Sequence, residues 1–292
     1  MEKENNKLKG AFVERDLSWM YFNHRILQEA EKKDIPVLER MTFLGIYSNN
    51  LDEFFRVRIA SLNRIAQSKD KTLKKDINHL NSCYNKEFEK AVQEITEELE
   101  QKGIRLLHEN QLNDEQKDFI QRFYLEKLNG STNPIWLSQI KEIGATADDG
   151  IFLAIKRMEW IEGKKKPKTD YALIAMPDKE IGRFVRLPKS DEKENIMFLD
   201  DVIRYCLPMI FVGSGNCTYE AYSFKFTKDA EMEMDNDLGS GVMQKVARGV
   251  KSRKSGEPIR VIYDDSMPKD LLKHIMSRLN IDTLDTIVSG GR

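Results

Sequence analysis

Phe43-Leu44-Gly45-Ile46-Tyr47-Ser48-Asn49-Asn50-Leu51-Asp52-Glu53-Phe54-Phe55-Arg56-Val57-Arg58 is the stretch on which the reading of this chain turns. Val37, Leu38, Met41, Leu44 and Ile46 recur at helical steps and predict one buried stripe. Ser48-Asn49-Asn50 is expected to interrupt it, because Ser and Asn hydrogen-bond their own backbone and favour caps and turns. Leu51, Phe54, Phe55, Val57, Ile59 and Leu62 then predict a further helix. On spacing alone Asn49 or Asn50 is its N-cap, with Asp52 and Glu53 favoured in the first turn by the helix dipole. The sharper alternative is a pair of amides beside aromatic rings, at a backbone break that can approach a planar ligand. Arg56 and Arg58 can neutralise phosphate or pair with Asp52 and Glu53, and spacing favours pairing.

Helical periodicity extends outward on both sides. Trp19, Phe22, Ile26 and Ala30 fall at steps of three or four, with Asp16 or Ser18 as N-cap. Asp34-Ile35-Pro36 closes that helix, and Pro36 suits the first turn of the next. After a polar connection at Gln67–Lys75, Ile77, Leu80, Tyr84, Phe88, Val92, Ile95 and Leu99 predict a long helix ending at Gly103. One more helix is expected at Asp114–Leu128, and then the period changes. Ile151–Ile155 and Tyr171–Ala175 flank the charged turn Gly163–Lys168 and read as a hairpin. Arg183–Leu187, Tyr222–Phe226 and Ile259–Tyr263 predict further strands; Asp200–Phe211, Asp229–Lys254 and Lys269–Asn280 predict helices. The fold class expected is therefore two domains. An all-α helical domain over residues 1–107 precedes an α+β domain over 108–286, with a mainly antiparallel sheet and its helices on one side. Residues 287–292 are expected to begin a linker.

Composition narrows the function classes. The chain has 292 residues, 40% hydrophobic and 33% charged, with a net charge of -1. That balance suits a folded globular protein and argues against a dedicated nucleic-acid binder, which carries a basic excess. No apolar run approaches the ~20 residues that span a bilayer, and the charged, polar N-terminus is not a secretory signal. Cys83, Cys206 and Cys217 have no CxxC spacing and read as reduced thiols. His24, His79, His108 and His274 are scattered, so no metal site is expected.

No complete catalytic constellation is present. Gly213-Ser214-Gly215 and Gly239-Ser240-Gly241 lack the GK[ST] of a phosphate loop. Asp52-Glu53 and Asp148-Asp149 are adjacent, and adjacent residues on a helix diverge. The Asp229–Lys254 segment runs from acidic to basic, which complements a helix dipole and reads as a solvated helix, with a break at Gly239 and Gly241. The lysine-rich turn Lys164–Lys168 is a solvated hairpin tip in the ordinary case and a phosphate contact in the sharper one.

Longer strings carry a resemblance. Arg15-Asp16-Leu17-Ser18-Trp19 with Phe22-Asn23 and Arg25–Ala30, then Pro36–Arg40 and Phe43–Phe54, resemble the opening of the bacterial polyphosphate kinases that work through a phosphohistidine. Leu199–Leu207, Thr227–Glu231, Glu257–Arg260 and Asp265–Pro268 resemble that family's head domain. Ile287-Val288-Ser289-Gly290-Gly291-Arg292 resembles the junction before its first catalytic domain. The likeness is weaker over residues 129–150, where Pro134 stands without a second proline.

The resemblance implies the N-terminal and head parts of an enzyme that reversibly transfers the terminal phosphate of ATP to polyphosphate, with Mg2+. It further implies a homo-oligomer formed through the head domain and a cytoplasmic location, with which peripheral membrane association is compatible. The phosphorylated histidine and phosphate-binding arginines would lie in two domains beyond this sequence, so no catalytic residue and no metal ligand is assigned. This part alone is expected to hold no cofactor and to be inactive. One role carries over: the second Asn of Ser48-Asn49-Asn50-Leu51-Asp52-Glu53-Phe54 contacts adenine in the family, which places that contact on Asn50. An amide donates and accepts together and so matches a purine edge. The rival expectation is a non-enzymatic oligomerisation or partner-binding module.

Overall fold

Glu14 opens the first helix, its carboxylate accepting from the backbone N–H groups of Asp16 and Leu17, and α1 runs Arg15–Glu31. The expected cap, Asp16 or Ser18, thus lies inside the helix. The computed structural model describes residues 13–59, 71–140, 150–212, 216–228, 258–279 and 287–290. These fall into two compact units, residues 1–95 and 96–292. Ile104–Leu107, expected in the first domain, is a strand of the second unit. The expected Asp229–Lys254 helix, Asp148-Asp149 and Gly239-Ser240-Gly241 lie outside the described residues.

In the first unit α1 buries Asp16, Met20, Asn23, Leu27 and Ala30. The expected face is rotated: Phe22 is 60% exposed. The buried stripe includes two polar residues with partners, which a search for apolar periodicity passes over. The second helix, α2 (Val37–Phe54), follows an extended Pro36 and buries Val37, Arg40, Leu44, Tyr47, Leu51 and Phe54. Leu38, Met41 and Ile46, expected inside, are exposed. Buried Arg40 donates Nε–H to the Ala30 carbonyl at 2.7 Å, a group left over at the C-terminal end of α1. The interruption expected at Ser48-Asn49-Asn50 is absent. The helix continues to Phe54 and only then widens into a π-helical turn, Phe55–Ile59. The third helix, α3 (Lys71–Gln101), buries Ile77, Asn81, Tyr84, Ala91 and Ile95. Tyr84 stacks on His24 at 3.9 Å, and Phe88 on Tyr47 at 5.6 Å.

The second unit begins with the end of α3. Gly103 sits at φ +86, a left-handed position that costs glycine little and closes the helix. Strand β1 (Ile104–Leu107) leads to α4 (Asp114–Phe123), opened by a reciprocal Asn113–Gln116 capping box and prolonged by a π-helical turn, Tyr124–Leu128. Then come β2 (Ile135–Trp136), β3 (Gly150–Glu159), β4 (Lys168–Ala175), the one-turn α5 (Asp178–Ile181), β5 (Phe184–Ser190) and β6 (Lys193–Phe198). They are followed by α6 (Leu199–Ile210), β7 (Cys217–Lys228), β8 (Pro258–Asp264), α7 (Lys269–Leu279) and β9 (Ile287–Gly290).

Six strands form one sheet in the order β2-β4-β3-β7-β8-β9, antiparallel except for the parallel β8–β9 pair. Three form a second sheet, β1-β6-β5, in which β1 runs parallel to β6. Ile287–Gly290, expected as linker, is therefore paired strand. The α+β class with a mainly antiparallel sheet holds, but its helices do not keep to one side. Leu153 and Ile155 pack in a core with α4, α6, β5 and β6, while Phe152 and Ala154 pack in another with α7. Successive strand residues point to opposite faces, so the unbroken run Ile151–Ile155 asks for cover on both.

Asp270, in the first turn of α7, ties that helix to the sheet. It accepts from Lys156 Nζ at 2.9 Å and from the Tyr171 hydroxyl at 2.8 Å. The Lys156 hydrogen bond, aided by that of Tyr171, holds its carboxyl down at about 2 although partial burial works against it. A carboxyl depressed below its ordinary 3.8 contributes stability that is present above about pH 4 and lost as pH falls toward 2. Asp270→Asn is expected to cost about 1 kcal/mol at pH 7, because water screens this half-exposed group. The difference from wild type should vanish near pH 2. Urea unfolding across that range checks it, and a pH-independent difference would assign the effect to packing.

Candidate functional site

Asn50 projects from an uninterrupted helix, not from a helix start, so the capping expectation is overturned. Its Nδ2 donates to Asn23 Oδ1 at 3.2 Å, and Asn23 Nδ2 donates to the Tyr47 carbonyl at 3.2 Å. Asn23 is buried and Asn50 half-exposed. Asn23 therefore anchors one donor of Asn50, whose amide offers a second N–H and a carbonyl oxygen besides. Sequence reasoning missed Asn23 as the partner: the two lie on different helices, 27 positions apart.

Aromatic and charged contacts also join α1 to α2 and to the π-helical turn that follows it. Trp19 stacks on Phe54 at 4.2 Å with planes 8° apart. Arg58 grips Asp16 with Nε at 3.0 Å and Nη2 at 3.1 Å, a two-pronged contact that spans α1 and the π-helical turn. Burial, and then the charge of Glu14, push the Asp16 carboxyl upward, while Arg15 works in the opposite direction. Arg56 pairs with Glu53. Pairing with Asp52 and Glu53 was expected of both arginines; Arg56 follows it, and Arg58 instead holds Asp16.

The other sequence candidates lie elsewhere. Lys164, Lys165, Lys166 and Lys168 are exposed on the β3–β4 turn, Lys168 within 3.2 Å of Asp170. All three cysteines are free, Cys83 exposed and Cys206 buried. Burial pushes the Cys206 thiol up to about 12, which keeps it neutral and unreactive. His24 meets Glu87 at 2.6 Å and His108 meets Asp201 at 2.8 Å. Gly213-Ser214-Gly215 lies outside the described residues. Among the described residues no helix is long and apolar enough to cross a membrane.

The second unit holds a buried polar network that the sequence reading did not single out. Arg204 of α6 contacts Asp201 at 2.5 Å, Asp200 at 3.3 Å, the Ser223 hydroxyl at 2.6 Å and the Ala221 carbonyl at 3.1 Å. The signal was present in the spacing of Asp200 and Asp201 to Arg204, four and three residues apart on one helix.

Comparison with known proteins places the two units. Residues 12–113 match the model of the polyphosphate kinase N-terminal domain, and residues 115–292 that of the polyphosphate kinase middle domain. Among curated relatives, polyphosphate kinase of Vibrio parahaemolyticus is 32% identical over 96% of this chain and 41% of its own length. That of Salmonella typhimurium is 35% identical over 96% of this chain and 42% of its own. The crystal structure of polyphosphate kinase from Porphyromonas gingivalis superposes with a TM-score of 0.78 at 29% identity, covering 96% of this chain and 39% of that one. A helical unit followed by an α+β unit, each matched in order, defines a chain made of the N-terminal and middle domains of a multidomain kinase class. The chain belongs to the polyphosphate kinase family. It spans about two fifths of the length of the curated relatives it matches.

Proposed function

We propose that this chain supplies the adenine contact and an oligomerisation surface of an enzyme that reversibly moves the terminal phosphate of ATP onto polyphosphate. Asn50 makes the base contact, and the α+β unit makes the contact between copies. Magnesium and the phosphate-handling groups belong to the part of the family's length outside this chain, and the setting is the cytoplasm. The observation that carries this reading is the Asn50–Asn23 bond at 3.2 Å. It fixes a half-exposed amide on a rigid helix within a domain matched to this family. Preorganisation of this kind lowers the ordering cost of binding.

Alone, the chain is expected to make no polyphosphate. A single neutral hydrogen bond is worth only about 0.5–1.5 kcal/mol net, too little to hold ATP without groups for its phosphates. ATP-to-polyphosphate turnover checks this on the chain itself and on the chain joined to the remaining length of a family member. Activity only in the longer protein supports the proposal. Activity in the chain alone would overturn the assignment of the chemistry to the other domains. Activity in neither would favour a non-enzymatic binding module.

A further inference from the structure

We propose a divalent transition-metal site at His108, Glu109 and Asp201, a place to which neither the sequence motifs nor the base contact directs attention. His108 and Glu109 follow β1 directly, and Asp201 stands in the first turn of α6. One ligand atom from each of the three lies within 4.8 Å of the others, close enough to meet around a single ion. His108 Nδ1 lies 2.8 Å from Asp201 Oδ2. A histidine–aspartate ion pair accounts for that distance; the Glu109 carboxylate brings a third donor atom within the same 4.8 Å.

The donor set decides the class of ion. One neutral imidazole with two carboxylates balances a 2+ charge and mixes nitrogen with oxygen. That suits Zn2+ or Mn2+ better than Ca2+ or Mg2+, which prefer all-oxygen shells. The surroundings suit a ligand as well. The Asp201 side chain is 3% exposed, and its other oxygen, Oδ1, is held by Arg204 at 2.5 Å. A carboxylate ligand fixed by an outer hydrogen bond is the usual arrangement at metal sites, since it sets orientation before the ion arrives. The guanidinium repels a cation in return, so both carboxylates are needed to hold the ion. Glu109 also lines a cavity of about 410 Å³ bordered by Arg204, Tyr205, Tyr219 and Tyr222. Water or a small anion in that cavity could complete the shell. The ion would clasp the end of β1 to α6.

Calorimetric titration of the metal-stripped chain with Zn2+, and separately with Mn2+, tests the site. One equivalent is expected to bind and to raise the unfolding temperature. Loss of an outer-shell partner costs roughly 10–100-fold in metal affinity, so His108→Ala and Glu109→Gln, which remove ligands, should each weaken binding at least about ten-fold. His108 is 43% exposed and Glu109→Gln preserves shape, so both variants are expected to fold; circular dichroism verifies this. The exposed His79–Cys83 pair, 3.9 Å apart on α3, is the competing metal binder. His79→Ala and Cys83→Ser should leave the titration unchanged, and Co2+ in place of Zn2+ should show no thiolate charge-transfer band. Unaltered binding by His108→Ala, loss confined to the His79 and Cys83 variants, or no heat with either ion would overturn the proposal.

Discussion

Arg204→Ala is expected to destabilise the second unit by about 3–5 kcal/mol, the largest loss predicted for any single polar substitution in this chain. The side chain is 4% exposed and pairs with Asp201, itself 3% exposed. Its Nη2 bonds the Ser223 hydroxyl, which in turn donates to Asp200 at 3.0 Å. Truncation to alanine removes the buried cation and leaves Asp201 with His108, and Asp200 with the Ser223 hydroxyl and with Arg183 at 3.8 Å. The cost arises from buried carboxylate charge left under-compensated more than from the lost attraction. Arg204→Lys should fall between wild type and alanine, because an ammonium keeps the charge but cannot reach Asp200, Asp201, Ser223 and the Ala221 carbonyl together. Removing both charges as Arg204→Met with Asp201→Leu should cost less than the sum of the single changes, the sign of a coupled pair. Urea unfolding followed through Trp136 and Trp160, with Trp19→Phe to silence the first unit, reads the loss. A cost below about 1 kcal/mol for Arg204→Ala would mean that water reaches the carboxylates.

That network also marks where the sequence stops being legible. Element types were readable wherever one residue class carried the period: α4, α6, α7 and the β3–β4 hairpin lie close to where apolar spacing puts them. The first two helices were readable as helices but not as faces. On α1 the buried stripe is Asp16, Met20, Asn23, Leu27 and Ala30, and on α2 it includes Arg40. Polar residues with partners occupy core positions there, so an apolar search settles on neighbours such as Phe22 and Leu38, both 60% exposed. Ser48-Asn49-Asn50 failed in the opposite way. Local preference says break, yet a bond from Asn50 to the preceding helix pays for continuing, and tertiary contact overrides propensity. Strands β1 and β6 were missed because their shared parallel pairing is long-range. Lys193-Glu194-Asn195 opens β6 with residues that seldom favour strands. The proposal of Asn50 as the base contact rests on a family resemblance, and nothing local in the sequence points to its partner Asn23.

Asn50→Ala, made in the chain extended to the family's full length, is expected to raise the KM for ATP while sparing both the fold and the use of polyphosphate. Loss of one or two hydrogen bonds of about 0.5–1.5 kcal/mol each corresponds to roughly a 2- to 150-fold change. The lower end applies if only the carbonyl oxygen meets the base, the upper end if a donor does too. An amide that reads the adenine edge also confers selectivity. The preference for ATP over GTP should therefore fall by a similar factor, a change that a merely structural residue would not produce. Asn23→Ala separates anchoring from contact. It removes the acceptor that fixes Asn50 and the donor to the Tyr47 carbonyl, so it should lower stability and raise the KM for ATP together. Asn50→Ala should move the unfolding temperature much less, because Asn50 is half-exposed and the buried Asn23 keeps its bond to Tyr47. Asn50→Asp sharpens the comparison. It retains the acceptor and loses both donors, so it should disrupt the Asn23 bond and bring a negative charge toward a polyanionic nucleotide. Its KM for ATP is expected to exceed that of Asn50→Ala. Equal losses of thermal stability and activity in Asn50→Ala, with nucleotide preference unchanged, would return Asn50 to a structural role between α1 and α2.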